Sequence, residues 1–253
     1  MLWLPGRDLG AQLNLVLSVI WPAAAAAAAG LVAGLALRGE VARLSVPGDQ
    51  PEEKSCAECG APLPGRAAFC CTACGRWLGT TAMAIELTTA AIVALLIEKF
   101  GGQPAVAAFT YLAVIGVALA EIDLAVQRLP DRLTLPAYPA LIVLFAVAAA
   151  TQDDWPAFGR ALLGGLLVGA AYLLLGLASG GQLGGGDIKL AGLVGLVLGW
   201  LSWQTLIAGA CAGFLIAGLI SAVLLLARRI RRGSPISFGP YLLGGALLAM
   251  LVR

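Results

Sequence analysis

Apolar residues in this chain neither alternate with polar ones nor keep to one helical face; they come in long runs. Runs at about 13–37, 83–98, 105–125, 135–150, 160–178, 188–201, 204–227 and 240–252 predict eight helices. Several reach the ~20 residues that cross a bilayer core. A helix satisfies its own backbone groups there, as a membrane interior demands. The short alternating segments of an outer-membrane barrel are absent. The expected class is an all-α, polytopic integral membrane protein with about eight transmembrane helices. One polar segment, 38–80, interrupts the pattern and predicts a small cytoplasmic loop. The chain therefore divides into a first transmembrane helix at 1–37, the loop at 38–80, and a transmembrane domain at 81–253. The alanine run at 23–29 reads as helix filler that permits close packing.

Composition agrees: 60% of the 253 residues are hydrophobic and 12% are charged, about half the charged share of a soluble domain. Charge placement then orients the chain. With the N-terminus outside and eight crossings, the inner loops hold Arg38, Arg43, Lys54, Arg66, Arg76, Arg128, Arg132, Lys189, Arg228, Arg229, Arg231 and Arg232. These are 12 of the 16 basic residues, the bias expected of cytoplasmic loops. If the short sixth run did not cross, the arginines at 228–232 would fall outside, so it is counted as a span. These four arginines form the only dense basic run and read as a topology signal, not a nucleic-acid footprint. Residues 1–12 lack a basic stretch leading into an apolar core, so no cleavable signal peptide is expected. The chain has no histidine. That excludes Ser-His and Cys-His nucleophilic sites and HExxH metal sites. Hydrolytic chemistry would have to come from carboxylates, Lys, Ser or Cys.

The polar segment carries five of the six cysteines. Cys56 and Cys59 form one C-x-x-C pair, and Cys71 and Cys74 form another, with Cys70 able to stand in for Cys71. Four thiolates suit one tetrahedral zinc and leave no open position, so such a zinc is structural. A cytoplasmic loop is reducing, which favours this over disulfides. Gly60 and Gly75 follow each pair, as tight metal-binding turns require. Cys211 reads as a small packed side chain in the seventh run.

A few acids fall inside apolar runs, where ionisable groups are costly and face a cavity or a partner. These are Glu86, Glu121, Asp123 and Asp187. In the eight-span topology, Asp123 and Asp187 reach the same depth at the cytoplasmic edge. Glu121, two positions from Asp123 on a helix, points elsewhere. Asp131 after Pro130 reads as a cap for the fourth helix. Asp187 follows Gly184, Gly185 and Gly186, with Gly180 and Gly181 upstream. Those glycines either let an extended peptide approach closely or simply make a hinge.

These segments together resemble the type IV prepilin peptidase family, within the GxGD class of intramembrane aspartyl proteases. Ile122-Asp123 followed by Leu129-Pro130-Asp131-Arg132-Leu133-Thr134-Leu135-Pro136 resembles the family's "ID…LPDxLTLP" block. Gly184-Gly185-Gly186-Asp187-Ile188-Lys189-Leu190 resembles "GxGDxKL", and Phe238-Gly239-Pro240-Tyr241 resembles "PFGPF". The paired cysteines resemble the tetracysteine loop of many members. The resemblance implies that Asp123 and Asp187 are the catalytic pair, with Gly184, Gly185, Gly186, Lys189 and Asp131 supporting them or the substrate. It implies a prepilin or pseudopilin substrate, cut between a basic leader and a hydrophobic helix in the bacterial inner membrane. Lys189 either biases the charge of the pair or binds lipid phosphate. Many relatives also N-methylate the new N-terminus with S-adenosylmethionine. Here the first block departs: against "GSFLNVVIxRLP", only Gly34, Arg43 and Leu44 fit, although Glu86 matches the second-span glutamate.

Three other readings compete. A cation transporter would use buried acids and glycine-broken helices, but near the midplane rather than at an edge. An assembly factor would not need either aspartate. Another GxGD peptidase would cut a helix that is not a pilin.

Overall fold

The computed structural model describes residues 9–45, 55–56, 58–62, 70–76, 83–179, 183–229 and 237–253, without the side chains of 9–21 and 23. Arg7, Lys54, Arg66, Gly180, Gly181, Arg231 and Arg232 lie outside the described residues. Among the described residues eight helices follow in chain order: α1 (Leu9–Leu44), α2 (Ala84–Phe100), α3 (Val106–Val126), α4 (Asp131–Gln152), α5 (Trp155–Ala178), α6 (Gly185–Leu201), α7 (Trp203–Leu226) and α8 (Gly239–Val252). The described residues contain no strand, and the all-α expectation holds. Among the described residues, five helical segments are long and apolar enough to cross a membrane: Ala24–Leu44, α3, α4, α5 and α7. The helices α2, α6 and α8 are shorter, at 17, 17 and 14 residues.

The short α6 is central. Every residue from Leu190 to Leu201 is buried, and a helix apolar all round belongs in an interior. Its packing depends on glycines. A Cβ at Gly195 would lie 2.5 Å from the Gly164 carbonyl oxygen of α5, and one at Gly199 would lie 2.8 Å from that of Arg160. Small residues that let two backbones touch are how helices associate in lipid, where no hydrophobic drive separates them from tails. At the far end, Arg160 of α5 donates to the Gly199 and Trp200 carbonyls, at 2.7 and 2.5 Å. This satisfies carbonyls that the helix end leaves unpaired. The aromatic rings of Phe145 and Trp200 stack beside it at 4.9 Å.

The first helix runs past residue 37 to Leu44 and carries Arg38 into the interior. Arg38 and Glu86 are 0% and 2% exposed and form a two-pronged pair, both contacts 2.6 Å. A buried charge needs such a partner. A Cβ at Gly34 would lie 2.7 Å from the Glu86 Cα, so α1 and α2 touch backbone to backbone at this pair.

A candidate active site at one end of the bundle

Asp123 sits one turn from the end of α3 and is 4% exposed. Gln127 stops the helix in the left-handed region, φ 54°, with its N–H on the Asp123 carbonyl. Two further groups from the segment entering α8 hold Asp123. The Ser237 hydroxyl donates to its carbonyl at 2.8 Å. The Gly239 N–H donates to its Oδ2 at 3.0 Å. That N–H belongs to the first turn of α8, where donors have no helical partner and the dipole favours an anion. A side chain at residue 239 would begin 3.0 Å from the same oxygen.

Asp187 lies in the first turn of α6. Its N–H donates to the Gly184 carbonyl at 3.0 Å. A Cβ at Gly184 would lie 3.2 Å from Asp187 Oδ2, and one at Gly186 would lie 2.7 Å from the Leu129 Cβ. These glycines therefore let the start of α6 close against the turn between α3 and α4. Asp187 Oδ1 is buried and has no hydrogen bond among the described residues.

The two carboxylates line one cleft of about 220 Å³, together with Gly184, Gly185, Gly186 and the turn at 127–129. They are close enough for the charge of Asp123 to act on Asp187. Paired carboxylates beside open backbone can supply both an acid and a base. Glu121 is not part of this cleft. It lines a separate apolar groove of about 300 Å³ between α2, α3 and α8.

Lys189 and Asp131 form an exposed ion pair that ties α6 to the start of α4. Asp131 is the first residue of α4, and Pro130 holds the capping position without a side-chain bond. The expected cap is thus corrected: its carboxylate reaches across to Lys189 instead of back to its own helix. Sequence reasoning missed Tyr138, whose hydroxyl donates to the Lys189 carbonyl at 2.7 Å. It occupies the space over Gly192, where a Cβ would collide with that oxygen. The pairing of tyrosine and glycine across two helices leaves no local signal in the sequence.

Away from the cleft, Cys56, Cys59, Cys71 and Cys74 form a cluster whose sulfurs all lie within 4.8 Å of one another and can hold a metal ion. Two matching turns build it. Gly60 and Gly75 adopt φ 69° and 72°, and their N–H groups reach the Cys56 and Cys71 carbonyls at 2.9 Å. The choice left open between Cys70 and Cys71 falls to Cys71, which is buried and 3.7 Å from Cys59. Cys56 and Cys74 are 3.8 Å apart. Zinc–sulfur bonds of ~2.3 Å in a tetrahedron set sulfurs ~3.8 Å apart, so the donor set fits that ion. The Cys71 thiol is lowered to about 6 by the backbone N–H groups of Cys74 and Ala73. Cys74 accepts the Arg76 N–H, yet burial and the neighbouring thiols push it up to about 12. Arg76 and Glu58 pair across the two turns.

Residues 110–227 match the model of the type IV leader peptidase family. Among curated proteins, the chain is 31% identical over 189 residues to a "Prepilin leader peptidase/N-methyltransferase" of Bacillus subtilis, covering 72% of this chain and 70% of that one. A protein of the same description from Pseudomonas aeruginosa is 31% identical over 183 residues, covering 72% and 61%. One from Aeromonas hydrophila is 32% identical, covering 72% and 61%. The match thus spans about three-fifths of several of these relatives. No solved structure matches the chain.

Proposed function

Because the chain belongs to the type IV leader peptidase family, we propose that it is an aspartyl endopeptidase that removes the basic leader from prepilins or pseudopilins. The observation that carries this is the shared cleft of Asp123 and Asp187, two acids 64 positions apart brought together at the bundle end by α3 and α6. Two carboxylates this close share a proton and act as one unit. The ionised member takes a proton from water, which attacks the peptide carbonyl. The protonated member donates to the oxygen on which charge develops, and collapse of that adduct breaks the C–N bond as the first carboxyl returns its proton to the leaving nitrogen. The glycines at 184–186 leave backbone exposed beside Asp187, where an extended substrate strand can lie. Lys189 and Asp131 fix the start of α6 relative to α4 rather than touch substrate.

The orientation follows the basic loops. The cleft faces the cytoplasm of a bacterial inner membrane, where a leader stays as its helix inserts, and the N-terminus lies outside. All eight helices span or fill the bilayer, with α6 shielded from lipid by its neighbours. Zinc would be held by Cys56, Cys59, Cys71 and Cys74, and it would fasten the loop without touching the reaction. S-adenosylmethionine fits less well. Glu86, the residue that matches the methylating relatives, has both carboxylate oxygens taken by Arg38. At that position the described residues do not fit the cofactor.

Intact-mass analysis of a prepilin incubated with the purified protein in liposomes tests the activity. The expected product is the pilin without its leader. A pilin of unchanged mass, with enzyme that is folded and inserted, would overturn the proposal.

A further inference from the structure

The catalytic pair does not account for one buried polar group. Tyr172 of α5 is 2% exposed, and its hydroxyl has no hydrogen bond among the described residues. A buried, unbonded hydroxyl is costly and calls for a reason. Its place in the fold supplies one. Along α5, Gly169 faces Gly192 of α6, and Gly176 faces Ile188. Tyr172 lies between these contacts on the buried stripe formed with Gly165, Val168 and Gly176, level with the start of α6. The only other unbonded buried oxygen noted among the described residues is Asp187 Oδ1 in that same turn. The charge of Asp187 also acts on Tyr172.

Packing fixes the phenol. Its ring lies 5.0 Å from Phe214 of α7 and 5.9 Å from Phe238, and those two rings are 5.1 Å apart. Phe238 immediately precedes Gly239, whose N–H holds Asp123. The three rings thus form a floor that reaches from one aspartate's clamp to the other aspartate.

We propose that Tyr172 is a positioning residue for Asp187: its hydroxyl donates to Oδ1 through one bridging water and leaves Oδ2 to face the cleft. A carboxylate with one oxygen tied is held in a single rotamer, as attack geometry requires. The Asp123 carboxylate is tied by Gly239, and Tyr172 gives Asp187 the equivalent constraint. This inference rests on the aspartyl peptidase reading.

Tyr172→Phe removes the hydroxyl and keeps the ring. Steady-state cleavage of prepilin in liposomes should show kcat reduced roughly ten- to hundredfold, the scale of a hydrogen bond to a charged group, with KM and the unfolding midpoint unchanged. Phe214→Leu, which loosens the ring cluster but keeps the hydroxyl, should cost clearly less kcat than Tyr172→Phe does. Wild-type kcat in Tyr172→Phe would overturn the proposal. So would a raised KM at unchanged kcat, or an equal kcat loss in Phe214→Leu, which would assign the effect to packing. Asp187→Asn run beside them separates the two claims: full activity there sinks the peptidase reading itself, whereas an inactive Asp187→Asn with a fully active Tyr172→Phe sinks only the role of the tyrosine.

Discussion

The Asp123 carboxylate occupies space that any side chain at residue 239 would need, since a Cβ there would lie 3.0 Å from its Oδ2. Gly239→Ala should therefore push the carboxylate aside by a few tenths of an ångström. Since misplacement by 1 Å costs a catalytic group up to ~100-fold, we expect kcat to fall by roughly two- to tenfold while α8 remains folded. Cleavage kinetics with a circular-dichroism control would check this. The same scale governs the cysteines. Cys71→Ser should abolish metal binding, and Cys70→Ser should retain it, because only Cys71 joins the four-sulfur cluster. Metal stoichiometry of the purified variants decides between them. At this scale the sequence was most legible where chemistry is written locally. The C-x-x-C pairs and the acids inside apolar runs could be found by spacing and cost alone. Gly239, Tyr138 and Tyr172 could not, because each works on a residue more than 10 positions away, on another element.

Pairs of helices show a different limit. The buried Arg38–Glu86 pair joins α1 to α2, and removing one partner strands the other charge. Glu86→Gln should destabilise the protein by ~3–5 kcal/mol, and Glu86→Leu combined with Arg38→Leu should recover most of it. Unfolding in mild detergent, titrated with a denaturant, measures both. Sequence pattern placed Arg38 in a loop because arginine ends an apolar run. The helix continues because the charge is neutralised inside. Hydropathy also made α6 short for a span, and only the charge of the loops counted it as one. Burial from Leu190 to Leu201 supplies the reason: α6 packs against protein on all sides, so the lipid thickness does not set its length. Its glycine contacts with α5 were hidden in a composition that counts glycine as a helix breaker.

For the whole molecule, charge asymmetry and site depth must agree. The turn at 127–129, the start of α6 and the end of α7 should share the cytoplasmic side. Alkaline phosphatase fused after Gln152 should be active outside, and fused after Arg229 it should be inactive. The reverse pattern would turn the cleft away from the leader. The all-α class and the order of the helices were readable from apolar runs, because backbone in lipid has few alternatives. The meeting of α3, α6 and α8 at one end was not, since interhelical packing depends on small residues spread over distant segments.

The central claim is that Asp123 and Asp187 act as one catalytic unit. Prepilin cleavage by wild type, Asp123→Asn, Asp187→Asn and the double variant, all reconstituted and verified as folded, tests it most directly. The account predicts that either single change abolishes cleavage and that the double variant is no worse than the singles, as groups acting together are not additive. Full cleavage by either single variant would contradict it.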